Sequence, residues 1–164
     1  MSEVIKIMVL IVLFSGLTTL QYNMDADETT TRQLKNSLEL AVHDAALALD
    51  ESQLSNGEIV FDQDQAIEQF KSSLENNLQL QSGEGYLYTP TENSFYKHDF
   101  YLEHLEFLDD SNSTFPLVYE NSDYDILDKI NGPSIVAVVS TTSPRYFAGN
   151  GITARKAVVY EYTQ

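Results

Sequence analysis

Hydrophobic and polar positions divide the chain into three stretches of different period. Val4 to Leu20 reads VIKIMVLIVLFSGLTTL, apolar around the whole circumference of a helix and broken by one charge, Lys6. Spanning hydrocarbon takes roughly 17 to 25 apolar residues, so the run predicts a membrane helix at the short end of that range. Lys6 lies in the first turns, where its stem can carry the ammonium to the headgroups. Gln21 and Tyr22 follow, and tyrosine favours the membrane–water boundary.

Asn23 to Thr31 is polar and acidic without apolar period, which predicts a short spacer or a continuation of the membrane helix. Leu34, Leu38, Ala41, Val42, Ala45 and Leu49 then recur at spacings of four, three, one, three and four. Those spacings make one stripe of an amphipathic helix over Thr31 to Leu49, a surface for packing or for a partner. Thr29 to Thr31 supply N-cap candidates, and Asn56-Gly57 ends the unit. After a brief extended run, Glu58 to Phe61, a second helix is marked by Ile67, Phe70, Leu74 and Leu78. Asp62 or Asp64 caps it, Gln65 stands three residues after Asp62 as in a capping box, and Gly83 and Gly85 close it.

Beyond Gly85 the pattern changes to short β-type runs punctuated by turns. Tyr86 to Thr89, most of Phe95 to Leu108, and Phe115 to Tyr119 are expected to be extended, with Pro116 confining the last to an edge or a strand start. Tyr124 to Ile130 reads as a short helical turn before Asn131-Gly132-Pro133. SIVAVVS, Ser134 to Ser140, is a continuous apolar run suited to a strand buried on both faces, and Arg155 to Tyr162 pairs with it across the loop from Thr141 to Gly151. Two helices followed by antiparallel strands predict an α+β domain, two amphipathic helices packed on a small antiparallel sheet. The domain reading is residues 1–24 as membrane anchor and 25–164 as an exported α+β domain.

Charge sharpens that placement. The chain carries 9 Lys+Arg against 25 Asp+Glu, a net charge of −16. Nucleic-acid binding draws on phosphate neutralisation by cations, so that class is excluded; anionic lipid headgroups repel the chain as well. A solvated acidic surface keeps an exported protein soluble. Lys6 stands on the N-terminal side of the apolar run, whereas Asp25, Asp27 and Glu28 precede the first cation, Arg32, on the other. The positive-inside rule then predicts a single-pass protein of the cell membrane, N-terminus cytoplasmic and C-terminal domain extracytoplasmic. The rival is a cleaved signal peptide, for which Gly16 and Thr18 offer a poor cut site and no A-x-A pattern follows.

Candidate chemistry is sparse. Cysteine is absent, which removes disulfides, thiolate zinc sites and a cysteine nucleophile together. His98 and His104 bracket an extended stretch and would lie about 20 Å apart in a strand, too far to share a metal; His43 stands alone beside Asp44. Asp62-x-Asp64 lacks the Gly and closing Glu of an EF-hand loop, so helix capping explains it. Asp109-Asp110 and Asp123-x-Asp125 are turn residues first and weak calcium ligands second. No G-x-S-x-G, G-x-G-x-x-G or P-loop occurs, and Asn112-Ser113-Thr114 matches a glycosylation sequon. The expectation is that the chain is not an enzyme and takes no cofactor or metal. Ten Tyr and eight Phe without Trp suggest half-buried sheet, or a contact surface built on Tyr86, Tyr88, Tyr96 and Tyr101.

MSEVIKIMVLIVLFSGLTTL, the following RQLKNSLELAVHDAALALDESQ, and the C-terminal SIVAVVS and AVVYEY runs together resemble pilin-like subunits and the tight-adherence minor pilins (TadE-like proteins) of bacteria. LELAVHDAALALD is also similar to uncharacterised membrane-anchored proteins of Gram-positive bacteria. The resemblance implies a helix that crosses the membrane and continues outward beneath a small sheet-containing head. The prepilin cleavage pattern is missing: the nearest glycine, Gly16, lies inside the apolar run, and Gln21 stands where a mature chain would carry Glu. The anchor residues Val4, Lys6, Leu20 and Tyr22 would meet the bilayer, and other envelope proteins or copies of the chain would be its partners. The function expected is a non-enzymatic, membrane-anchored subunit of an extracytoplasmic assembly of pilus, secretion or conjugation type. The alternatives are an exported binding domain for a glycan, peptide or calcium, and a hydrolase using two acidic residues.

Overall fold

A computed structural model describes residues 2–163. The apolar run and the amphipathic stripe belong to one helix, α1, Ser2–Ala46, unbroken across the polar stretch between them. Of the two readings of Asn23 to Thr31, continuation therefore holds. No Pro or Gly breaks that stretch, and Thr31 donates its hydroxyl to the Asp27 carbonyl one turn back, so Thr29 to Thr31 lie inside the helix and do not cap a new one. The first amphipathic helix is thus the second half of α1 rather than an element of its own.

α2, Glu51–Leu54, is a single turn capped by Asp50, and Gly57 beyond it takes a positive φ of 85°. α3, Gln63–Leu78, starts at Asp62, whose carboxylate accepts from the Gln65 amide at 3.1 Å. Its end differs from the expected glycine stop. Gln79 adopts the left-handed conformation (φ 55°) and donates its amide to the Glu75 carbonyl. The chain turns at once into β1, Leu80–Ser82, leaving Gly83 and Gly85 in the following loop.

The remaining strands are β2, Leu87–Pro90, β3, Phe100–Leu108, β4, Leu117–Asn121, β5, Ile126–Ile130, β6, Ser134–Thr142, and β7, Thr153–Glu161. β1-β2-β3-β6-β7 form an antiparallel sheet; β4 and β5 form a separate hairpin. β5 occupies the segment expected to be a helical turn. Ile126 and Ile130 are four apart, a spacing that serves one face of a helix and one face of a strand equally. Pairing with β4, Leu117 opposite Ile130, decides for the strand. β4 begins directly after Pro116, as a proline-limited strand should.

β6 explains the three-layer build. Ile135, Ala137 and Val139 face the core made by α1 and α3, while Val136 and Val138 face a second core with Tyr119, Ile126 and Ile130 of the hairpin. Both faces are covered, so an uninterrupted apolar run fits where alternation would not. Helices form one layer, the sheet the second, the β4–β5 hairpin the third. The architecture is α+β: a long N-terminal helix, half of it apolar and uncovered, joined to an antiparallel sheet.

Candidate functional site

Where α1 leaves its uncovered half, the β6–β7 loop returns to meet it. Arg145 reaches back over Pro144; its Nη2 donates to Asp27 Oδ2 at 3.0 Å, Nη1 to the other carboxylate oxygen, and Nε to the Asn150 carbonyl at 2.9 Å. Ser143 also donates its hydroxyl to Asp27 and accepts from the Ile152 amide at 3.0 Å. One turn earlier on α1, Asn23 accepts from the Tyr146 amide at 3.3 Å. The side chains of Arg145 and Asp27 are only 15 % and 23 % exposed, so this bidentate pair is less screened than a surface ion pair. Hydrogen bonding from Arg145 holds the Asp27 carboxyl below its ordinary value, outweighing the opposing effect of burial.

Gly151 makes this closure possible. A Cβ there would stand 2.1 Å from the Ser143 carbonyl oxygen and 2.7 Å from Thr142 Cγ2. Only a residue without a side chain lets the two ends of the loop approach so closely. The loop then presents Tyr146 and Phe147, 57 % and 48 % exposed, beside Tyr22 and Asp25 in one open cleft. One turn further along α1, Arg32, Lys35 and Lys156 line a shallow depression with Glu28.

A second polar cluster lies under the β4–β5 hairpin. Tyr119 donates its hydroxyl to Glu106 Oε2 at 2.6 Å, and His104 Nε2 stands 3.0 Å from that carboxylate oxygen. Tyr124 donates to the Glu103 carbonyl at 3.0 Å, and Arg155 Nε pairs with Glu103 Oε2 at 2.9 Å. Burial first, then the bond to Glu106, raises the Tyr119 hydroxyl above its ordinary value. Each group in the cluster is satisfied by another, which ties the hairpin to β3. A bulge interrupts β3 between Leu102 and His104, and His98 lies outside the strand, so the two histidines do not bracket one regular extended run. His43 Nδ1 is 2.7 Å from the Tyr160 hydroxyl and joins α1 to β7.

Of the aspartates named from sequence, Asp62 caps α3, while Asp109 and Asp110 hold backbone amides, some of them far along the chain. Buried Asp109 accepts from the amides of Phe61 and Ser111, and Asp110 from Ile59. Among the described residues no three His, Cys, Asp or Glu side chains gather as a metal set. Val4, Lys6, Leu20 and Tyr22 lie on the exposed half of α1. Leu34, Leu38, Val42 and Ala45 are fully buried in the chain's own core; Leu49 is half-buried past the end of α1, bridged to Phe61. The tyrosine surface needs correction. Tyr88 and Tyr96 are 1 % and 2 % exposed and belong to the helix-side core, whereas Tyr86 and Tyr101 are on the surface. β-propensity places an aromatic in a strand without saying which face it takes.

Sequence reading passed over Arg145, Tyr146 and Phe147. A signal was present: between Asp128 and Glu161 there is no Asp or Glu, in a chain with 25 of them. No family model, curated protein or solved structure matches the chain.

Proposed function

We propose that the chain is a non-enzymatic, single-pass membrane subunit of an extracytoplasmic assembly, of pilus, secretion or conjugation type, with its N-terminus in the cytoplasm and its α+β head outside. The observation that carries the reading is the division of α1. Its first half, from Val4 through Leu20, leaves leucine, isoleucine, valine and phenylalanine side chains uncovered on all sides. Its second half is built into the head's core through Leu34, Leu38, Ala41, Val42 and Ala45. An apolar helix that no part of its own chain covers calls for a hydrocarbon environment. A head fastened to that helix along about three turns is held at a fixed height and angle, which suits a building block better than a tethered binding module.

Cross-linking in intact cells tests the proposal. A ladder of multiples, or a constant envelope partner captured through the head, is expected. A chain that stays monomeric with no envelope protein attached would sink it.

A further inference from the structure

We infer that the β6–β7 loop is a second membrane contact, with Tyr146 and Phe147 seated beside Tyr22 in the outer headgroup layer of the bilayer that α1 crosses. The inference rests on the membrane reading of α1 and adds a lipid-binding surface on the head.

Three observations carry it. The first is depth. Val4 to Leu20 rises about 26 Å at 1.5 Å per residue, a few ångströms short of the roughly 30 Å of hydrocarbon in a typical bilayer. The apolar boundary then falls near Tyr22 and Asn23. Asn23 is the residue to which the loop is hydrogen-bonded, through the Tyr146 amide at 3.3 Å and through Arg145 Nη1. The second is chemistry. Tyr146 and Phe147 are exposed although large and aromatic, and they share one cleft with Tyr22. Amphipathic tyrosine rings collect at the headgroup level. The third is charge. The hairpin from Asn131 to Tyr160 contains no acid, and the loop's one cation, Arg145, is neutralised by Asp27. Asp25, exposed, is the acid that lines the same cleft. Elsewhere the head's acidic surface is repelled by anionic lipid; here it presents a nearly neutral aromatic tip.

Because the chain has no Trp, each introduced Trp is an unambiguous depth reporter. The full chain carrying Y146W, F147W, F14W or L47W is reconstituted into phosphatidylcholine vesicles. Each is made with lipids brominated either near the headgroup or deep in the acyl chains, and acrylamide serves as the aqueous quencher. Leu47 is exposed at the far end of α1, about 38 Å along the axis from Tyr22, and reports water. Phe14 lies within the apolar run and reports the helix itself. Y146W and F147W are expected to be quenched by shallow bromines and roughly twofold less by acrylamide than L47W, as for a ring partly withdrawn into the interface. If F14W is quenched by deep bromines while Y146W and F147W both behave like L47W, the loop contact is overturned and the anchor stands. If F14W escapes every bromine, the anchor reading fails and the inference falls with it.

Discussion

Arg145 Nη2 stands 3.0 Å from Asp27 Oδ2, a contact between residues 118 positions apart in the chain. It fastens the loop between the last two strands to the helix at the point where that helix emerges from the head. The head's orientation on α1 is therefore fixed at two levels, by apolar packing along Leu34 to Ala46 and by this polar clasp nearer the apolar half.

Replacing Asp27 with Asn is expected to cost about 1 kcal/mol at pH 7, since the guanidinium keeps a hydrogen-bonding partner but loses the charge. The pH dependence has a definite sign. Folding lowers the carboxyl below its usual 3.8, so the unfolded chain binds the proton more readily and the stabilisation is complete above about pH 4. It fades as the solution is acidified through the lower, folded value. Urea denaturation in detergent should show D27N and the parent chain separated at pH 7 and converging in acid.

Gly151→Ala should destabilise the chain by about 1 to 3 kcal/mol, the usual cost of forcing atoms into a filled space. The obstacle is backbone, the Ser143 carbonyl, and cannot swing aside as a side-chain end would. A thermal melt of G151A indistinguishable from the parent would mean that the loop closes differently.

Burial makes sharp distinctions among leucines. Leu38 of α1 is fully buried in the core shared with α3 and the sheet, whereas Leu127 is 72 % exposed on the hairpin. Leu38→Ala is expected to cost about 2 to 5 kcal/mol, and Leu127→Ala less than about 0.5 kcal/mol. Chemical denaturation of the two variants side by side measures the contrast.

Two tyrosines with buried rings should respond oppositely to loss of the hydroxyl. The Tyr88 hydroxyl is buried without a hydrogen-bond partner among the described residues, and burial, aided by the charge of Glu75, pushes it up to about 12. Tyr119 instead donates to Glu106 at 2.6 Å. Tyr88→Phe should be neutral or stabilising by up to about 1 kcal/mol, and Tyr119→Phe destabilising by about 1 kcal/mol. Equal losses in both variants, read by calorimetry, would overturn the assignment of Tyr88 as unsatisfied.

These cases also mark what the sequence could carry. Local period is written in neighbouring residues, so the stripe from Leu34 to Ala45, the α3 start at Asp62 and the doubly covered strand at Ser134 to Ser140 were all legible. Where two periods share a spacing, as at Ile126 and Ile130, only long-range pairing decides, and a helical turn was expected where β5 formed. Composition likewise grouped Tyr86, Tyr88, Tyr96 and Tyr101 together, although packing sends two inward and two outward. The clasp was least legible of all. Arg145 stands alone as a charge between Lys129 and Arg155, but nothing local names Asp27 as its partner, and their meeting depends on the sheet order that brings β7 beside α1.

The unbroken course of α1 has a mechanical consequence. A pull applied to the apolar half runs lengthwise into the head's interior rather than into a flexible tether. To yield, Leu34, Leu38, Val42 and Ala45 would have to slide past α3 and the sheet together, loading their contacts in shear instead of peeling them one by one. Tension along α1 is thereby shared across the core between the helices and the sheet.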